Sequence, residues 1–563
     1  MKLKPLFLSS LLSVWLVVGV LLGSYGTTSM VDAACAAARL RKSYDSLTVD
    51  EKLLYRRALQ TAMDKGLYIK FVEMHTERMS EMEAHRGCMF AYWHRAFLIG
   101  FENMLRSLAP EFECITIPYW DEMQHNARAL TGACSSVESC APMLRDWGGS
   151  SSGNLSQSIK INGAWVSGYR CVDRQPLNHF CEASSVTGAA CAKCLPRGDM
   201  TQTVFPSGTN FASVFRQLFT NRDFVTTTKN IEDGMHNAIH AALGGALATF
   251  QSPSDPIFWS HHAYVDLLLT IHLKCRAGLG KLTDKQKQNN QYSFLPCPHR
   301  EDSGFFTAMS MFTMRAGENG VSPKQVNQNG QVMYPFFKDI PSQYYKLADI
   351  TTLGVNKYNY RVSGLVGQLA VNCERTSNSR RLHEGHGDDK TAKRSKCLSE
   401  LDDSGKSESA AAQGGHSSPE QAFLVDTSLD SDVDAGKVMS WIEEVKKLYA
   451  ELPEDKSKDP EKDGAVFELE RMVCMFYDQC RGGITDYSDE FKVAFNVTEP
   501  PPCKPIVDTI NSECKRLRLS NWKETMEKYF PCNLPQGAES ASIASDLPDS
   551  SSSSSSSLTP DAY

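Results

Sequence analysis

The chain has 563 residues, with 59 Lys and Arg against 66 Asp and Glu and 41% apolar residues, enough for two or three domains at about 150 residues each. A formal net charge of −7 over that length gives no strong field of either sign, which argues against a dedicated nucleic-acid binder. Composition alone leaves a soluble globular protein.

At the N-terminus Met1-Lys2-Leu3-Lys4 precedes an apolar run over residues 6–23 and then small residues, the layout of a secretory signal. Val31 and Ala33 suit a break after Ala33, so residues 1–33 read as a signal peptide and Ala34 as the mature start. The alternative is a retained membrane anchor, since about 18 apolar residues can just span a bilayer. No later segment approaches that length, and the rest of the chain is expected to be secreted. All 18 cysteines lie after residue 33, and an even count in an oxidising compartment reads as disulfides. Cys191-Ala192-Lys193-Cys194 lacks a second such pair or nearby histidines and reads as a loop staple rather than a zinc site. Asn154-Leu155-Ser156 and Asn496-Val497-Thr498 are acceptor sequons, so a glycoprotein is expected.

Residues 34–365 mix periodic apolar segments with cysteine-bearing loops and form the expected main domain, mostly helical. Thr48, with Glu51 three residues on, can open a helix through a capping box. Leu98, Phe101, Leu105 and Leu108 follow a helical stripe that Pro110 stops. The stretch 134–206, rich in Gly, Ser, Cys and Asn, reads as long disulfide-held loops. Residues 366–433 read as a disordered linker, because no aromatic residue occurs between Arg361 and Ala422. Helical periodicity returns at Val438, Trp441, Ile442, Val445 and Leu448, so residues 434–535 are expected to form a small cysteine-stapled helical domain. A serine-rich tail, 536–563, is expected to be disordered.

Histidines carry the chemistry. His75, His85 and His94 sit early; His236, His240, His261 and His262 sit together later. His236 and His240, at i and i+4, share one helical face, which is half a metal site and by itself compatible with ordinary core histidines. His262, in a pair that opens an apolar helix, can close a three-imidazole set with them. His85 and His94 would lie on opposite faces of one continuous helix, so a turn must separate them. His75 is the only earlier histidine, and completes the first set if it too needs three. Two sets of three imidazoles without carboxylate or thiolate suit copper better than zinc or magnesium.

The run His85-Arg86-Gly87-Cys88-Met89-Phe90-Ala91-Tyr92-Trp93-His94-Arg95-Ala96-Phe97-Leu98 resembles the first copper motif of the tyrosinases, type 3 copper proteins of the polyphenol oxidase family. His236-Asn237-Ala238-Ile239-His240, followed by Gly244-Gly245 and by Asp255-Pro256-Ile257-Phe258-Trp259-Ser260-His261-His262, resembles the second. Arg41 and Tyr358-Asn359-Tyr360 resemble the arginine and tyrosine motifs that bracket the family's central domain. The resemblance implies a mainly α fold: a four-helix bundle around a dinuclear copper centre with long disulfide-held loops, plus the small C-terminal helical domain. It implies two copper ions per chain, held by His75, His85, His94 and by His236, His240, His262, with His261 the non-ligand of its pair. It further implies an O2-dependent oxidoreductase that hydroxylates monophenols, as a monooxygenase of melanin biosynthesis does, or oxidises o-diphenols to o-quinones. Its partners would then be a phenolic small molecule and O2, with no nucleic acid, and no membrane unless the signal is retained.

For monophenols the family is thought to use a water held by a glutamate and an asparagine; Glu232 and Asn237 match. Phe258 would pack beside the ligand rings. Asp266, at i+4 from His262, either orients a ligand or is a solvated helix residue. Glu83 stands where many relatives carry a cysteine joined to the second histidine by a thioether, so that crosslink is not expected. Cys88 reads as a disulfide partner. The alternatives are a catechol oxidase without monophenol hydroxylation and a haemocyanin-like dioxygen-binding protein. The C-terminal domain is a candidate shield over the site, with the linker as a cleavable hinge.

Overall fold

The computed structural model describes residues 35, 39–155, 157–221, 223–280, 282–317, 322–378, 422–425, 432–453, 464–512 and 516–532. The signal segment, most of the linker and the serine-rich tail lie outside these. The protein is mainly helical, with small two- and three-stranded sheets. Among the described residues no helix is long and apolar enough to cross a membrane.

Local chemistry sets the helix starts. The helix Val49–Asp64 opens on the capping box, with Glu51 N donating to Thr48 Oγ1 at 3.2 Å and Thr48 N to Glu51 Oε2 at 2.8 Å. Thr48→Ala is expected to lower stability by about 1 kcal/mol, read as a shift of the urea midpoint. Helix α1, Tyr68–Thr76, and α2, Arg78–Ala84, are joined through Glu77, whose carboxylate accepts from Ser80 N. His85 is extended and ends α2, so the required turn separates it from α3, Phe90–Ser107. A single π-helical turn, Glu232–His236, leads into α4, Asn237–Leu243. Helix α5, Pro256–Ala277, starts on Asp255, whose Oδ1 accepts from Ile257 N, and stops at left-handed Gly278. Helices α3 and α5 pack face to face, with Phe101 stacked on Trp259 and Phe97 5.1 Å from the same ring.

A parallel sheet ties distant parts of the chain to this core. Strand β1, Arg39–Arg41, pairs with β2, Tyr358–Val362, which pairs on its other edge with β3, Phe423–Val425. Asp266 on α5 lies beneath it, fully enclosed. Its Oδ1 accepts from Arg95 Nε at 2.5 Å; its Oδ2 accepts from Arg41 Nη1 at 3.2 Å, Tyr358 OH at 2.6 Å and Tyr360 OH at 2.5 Å. Asp266 is therefore neither a solvated residue nor bonded to an imidazole: four side chains from three other segments take up its carboxylate.

The linker expectation needs correction at both ends. Residues 364–378 form a helix whose Leu365, Val366, Leu369 and Ala370 are buried, and β3 begins with buried Phe423. Apolar residues at helical spacing order the first stretch without an aromatic, and an open sheet edge orders the second.

Disulfides hold the loops, among them Cys35–Cys114 and Cys134–Cys140, and Cys275 is disulfide-bonded too. Cys191 and Cys194 bond not to each other but to Cys181 and Cys171, each half of the CxxC closing a different loop. Cys88 bonds to Cys297. The C-terminal region contains α6, Val433–Ala450, α7, Ala465–Cys480, and α8, Asp489–Phe495, stapled by Cys474–Cys503 and Cys480–Cys532. It is docked on the main domain: Trp441, Phe476 and Phe530 belong to the same buried cluster. Asn126 donates to Tyr477 OH at 2.9 Å, Thr131 to Asp434 at 2.6 Å, and Arg216 pairs with Glu470.

Candidate metal centre

Two groups of buried histidines lie side by side in the middle of the molecule. His75, near the end of α1, His85 after α2 and His94 in the second turn of α3 form one; His236, His240, His261 and His262 form the other. Within each group the ligand atoms lie within 4.8 Å of one another. The groups touch through His94 and His262, whose rings stack with centroids 4.2 Å apart. The structure thus brings together all six sequence-selected histidines, together with His261.

The approach to His236 needs a departure from helical backbone. Gly234 in the π turn has φ −86° and ψ −110°, and a Cβ there would sit 2.5 Å from Gln217 Cδ. Gln217 Oε1 meanwhile accepts from Met235 N. Single π turns of this kind recur at functional sites. Gly245 has φ +57°, and a Cβ on it would fall 2.4 Å from Pro196 O.

Hydrogen bonds orient several rings. Nδ1 of His75, His94 and His240 lies 2.8, 2.9 and 2.6 Å from the carbonyl oxygens of Phe250, Phe90 and Leu247, so each donates its N–H there. The Nε2 atoms of those neutral rings then carry lone pairs. His75 Nε2 and His94 Nε2 are 3.5 Å apart, and His240 Nε2 and His262 Nε2 3.4 Å. Burial, with neighbouring imidazoles adding repulsion, pushes His75 down to about 3 and holds His85, His94, His236 and His262 well below the usual imidazole range. Burial likewise lowers His240 to about 4. The neutral lone pairs that His75 and His94 aim at one another are repulsive unless a cation lies between them, and His236 Nε2 and His262 Nδ1 are buried without a partner. The donor set of imidazoles therefore fits a copper ion in each group.

His261, whose Nε2 is likewise buried without a partner, differs in bonding a carboxylate through Nδ1. Its Nδ1 is 2.5 Å from Glu122 Oε1, and burial keeps Glu122 well above the usual carboxylate range. Phe258 lies 4.1 Å from the His262 ring and 5.2 Å from that of His75. Glu232 is buried, accepts from Arg86 N at 2.6 Å and is pushed by burial up to about 8. It lines a cavity of about 500 Å³ with Lys229, Asn496 and Thr498. Asn237 turns its Oδ1 to His236 Nδ1 at 3.0 Å. No hydrogen bond joins Glu232 to Asn237 directly among the described residues.

The sequence did not single out Phe250, Glu122 or Phe495. Phe495, the last residue of α8, is 3% exposed; its ring lies 5.3 Å from that of His240, 6.2 Å from His85 and 5.1 Å from Phe250. Phe491 stacks behind it at 4.8 Å, and Tyr487 packs on Phe491. The aromatic pair at i and i+4 after the helix-capping Ser488 was the available signal, but nothing local says which surface it meets.

Residues 65–274 match the family model described as the common central domain of tyrosinase. The chain is 28% identical over 256 residues to a tyrosinase of Streptomyces glaucescens, covering 43% of this chain and 85% of that protein. It is 28% identical over 267 residues to a tyrosinase-like protein of Diaporthe leptostromiformis, covering 44% of this chain and 64% of that one. A polyphenol oxidase structure from Thermothelomyces thermophila aligns at 18% identity with a TM-score of 0.33, over 57% of this chain and 88% of that one. The family assignment rests on the sequence matches.

Proposed function

The chain is a tyrosinase-family protein, with the family's central domain at residues 65–274, and from that premise we propose that it is an exported copper oxidase that uses O2 to hydroxylate monophenols and to oxidise o-diphenols to o-quinones. The observation that carries this reading is the pair of opposed Nε2 contacts, 3.5 Å between His75 and His94 and 3.4 Å between His240 and His262. In this reading His75, His85 and His94 hold one copper and His236, His240 and His262 a second, while His261 stays engaged with Glu122. The copper pair supplies the redox chemistry between phenol and O2.

The residues around it supply orientation, dryness and a proton acceptor. Phe90, Phe250 and Phe258 wall the imidazoles off from water. A phenol has a pKa of about 10 and must lose its proton to bind a metal. In this reading Glu232, with Asn237, holds the water that takes this proton; burial raises its carboxyl to about 8, so its basic form grows in as pH rises through that value. Glu232→Gln is expected to lower hydroxylation of tyrosine relative to oxidation of catechol by about tenfold or more. Initial rates on the two substrates at equal copper content check this.

Phe495 lies where a phenol ring would meet the His240 and His85 imidazoles, so the intact chain is latent. A dioxygen carrier on the same metal pair is the second reading, and the covered site is the observation that favours it. Copper stoichiometry, with O2 uptake on tyrosine and on catechol before and after removal of the C-terminal region, tests both. Two coppers with uptake on both substrates support the oxidase; uptake on catechol alone makes it a catechol oxidase. Reversible O2 binding without turnover after removal makes it a carrier.

A further inference from the structure

Among the first three histidines, His85 is held differently from the other two. His75 and His94 each donate Nδ1–H to a carbonyl oxygen, whereas His85 Nδ1 is buried with no hydrogen-bond partner. The nearest carboxylate, Glu81, is 3.8 Å from it, beyond hydrogen-bond distance. No hydrogen bond of that kind fixes its ring, which packs against His75 at 4.6 Å and Phe250 at 5.0 Å.

The main chain around His85 is gripped instead. The Arg300 guanidinium, largely enclosed at 11% side-chain exposure, forks onto Glu81, with Nη1 to Oε1 at 2.9 Å and Nη2 to Oε2 at 2.7 Å. Its Nη1 also donates to the His85 carbonyl oxygen at 3.0 Å. From the other side Glu232 Oε1 accepts from Arg86 N at 2.6 Å, so both ends of the His85–Arg86 peptide are bonded. Arg86 has φ +56°, a left-handed conformation that a residue with a Cβ adopts at a cost and keeps only where its surroundings enforce it. Arg86 also donates to Glu81 Oε1 at 3.0 Å, and the Cys88–Cys297 disulfide joins the same two segments three residues to one side of each.

We infer that Arg300 is the positioning residue for His85: by bonding the His85 carbonyl and Glu81 together it holds the left-handed turn at Arg86 and so aims the imidazole at the first copper. This rests on reading the His75, His85 and His94 group as a copper site. Arg300 touches neither substrate nor metal. Among the described residues its side-chain bonds reach Glu81, Glu301 and His85, so its effect is expected first at the His85 group.

The test uses the full-length, copper-loaded protein with Arg300→Met and Arg300→Lys, and Arg57→Met as a control for loss of an exposed arginine. The readouts are copper per chain, the rate of copper loss to a chelator, the EPR signal of isolated Cu(II) and the melting midpoint of the copper-free protein. Arg300→Met is expected to release one copper per chain about 10- to 100-fold faster than wild type, leaving a mononuclear Cu(II) signal. Arg300→Lys, which keeps charge but not the fork, is expected to fall between. Equal copper retention in all variants overturns the inference. So does loss of both coppers together in step with a lowered copper-free midpoint, which would mark a merely structural role. If Arg300→Met does not fold, Glu81→Gln, which removes the anchor and leaves the carbonyl bond, must give the same one-copper loss for the inference to stand. A wild-type chain that takes up no copper would instead overturn the metal reading itself.

Discussion

Phe495→Ala is expected to raise catechol oxidation by the intact, uncleaved chain about 10- to 150-fold. The side chain of Phe495 is almost wholly enclosed, its ring against His240, His85 and Phe250. Burying a side chain of this size contributes about 1.5–3 kcal/mol, and each 1.4 kcal/mol is a tenfold change in an equilibrium. Without the ring the closed arrangement loses that advantage and substrate can compete for the imidazole face. The substitution leaves the docking contacts of Tyr477, Asp434 and Glu470 in place. Initial rates of O2 uptake, at equal copper content and without protease, read the effect. An unchanged rate, with rate gains only on removing the whole C-terminal region, would place the obstruction elsewhere.

Asp266→Ala is expected to destabilise the protein by about 3–5 kcal/mol, the range for removing one partner of a buried ion pair. Arg41 would keep Glu102, whose Oε2 is 3.1 Å from its Nε, whereas Arg95 would keep neutral oxygens alone, those of Leu347, Ala348, Thr270 and the residue 266 carbonyl. Burial alone would raise the Asp266 carboxyl, but Arg95 and Arg41 outweigh it and hold it below the usual range. The stabilisation from that depression is complete above the unfolded value near 4 and is lost as pH falls through the lower folded value. Urea unfolding of the copper-free protein at neutral pH and at about pH 3 should therefore show the mutant and wild type converging in acid. A difference that persists unchanged at the lower pH would mean that packing, not charge, is lost.

Spacing made the histidines legible, because a metal site needs several ligands and helical periodicity says which can share a face. It separated His85 from His94 by a turn, and the chain does end α2 at Ala84 and restart at Phe90. The capping box at Thr48 was equally legible, since both of its partners lie within one turn. What could not be read was whatever depends on distant packing. Asp266 read equally as the orienter of a ligand and as a solvated helix residue, but its partners come from residues 41, 95, 358 and 360. Phe495 lies 255 positions beyond His240, and an aromatic on a short helix carries no mark of its destination. The helix at 364–378 was missed because absence of aromatics was read as absence of a buried face, although Leu365, Val366, Leu369 and Ala370 supply one.

Strand β3 lies beyond the linker, yet it hydrogen-bonds to β2 of the main domain. A protease acting between residues 379 and 421 therefore releases no fragment by itself; it converts one chain into two that remain associated through that strand and the helical interface. Covering of the histidines then becomes a bimolecular equilibrium governed by mass action. The nicked protein would be inhibited when concentrated and active when dilute, so dilution after cutting, rather than the cut, would switch it on.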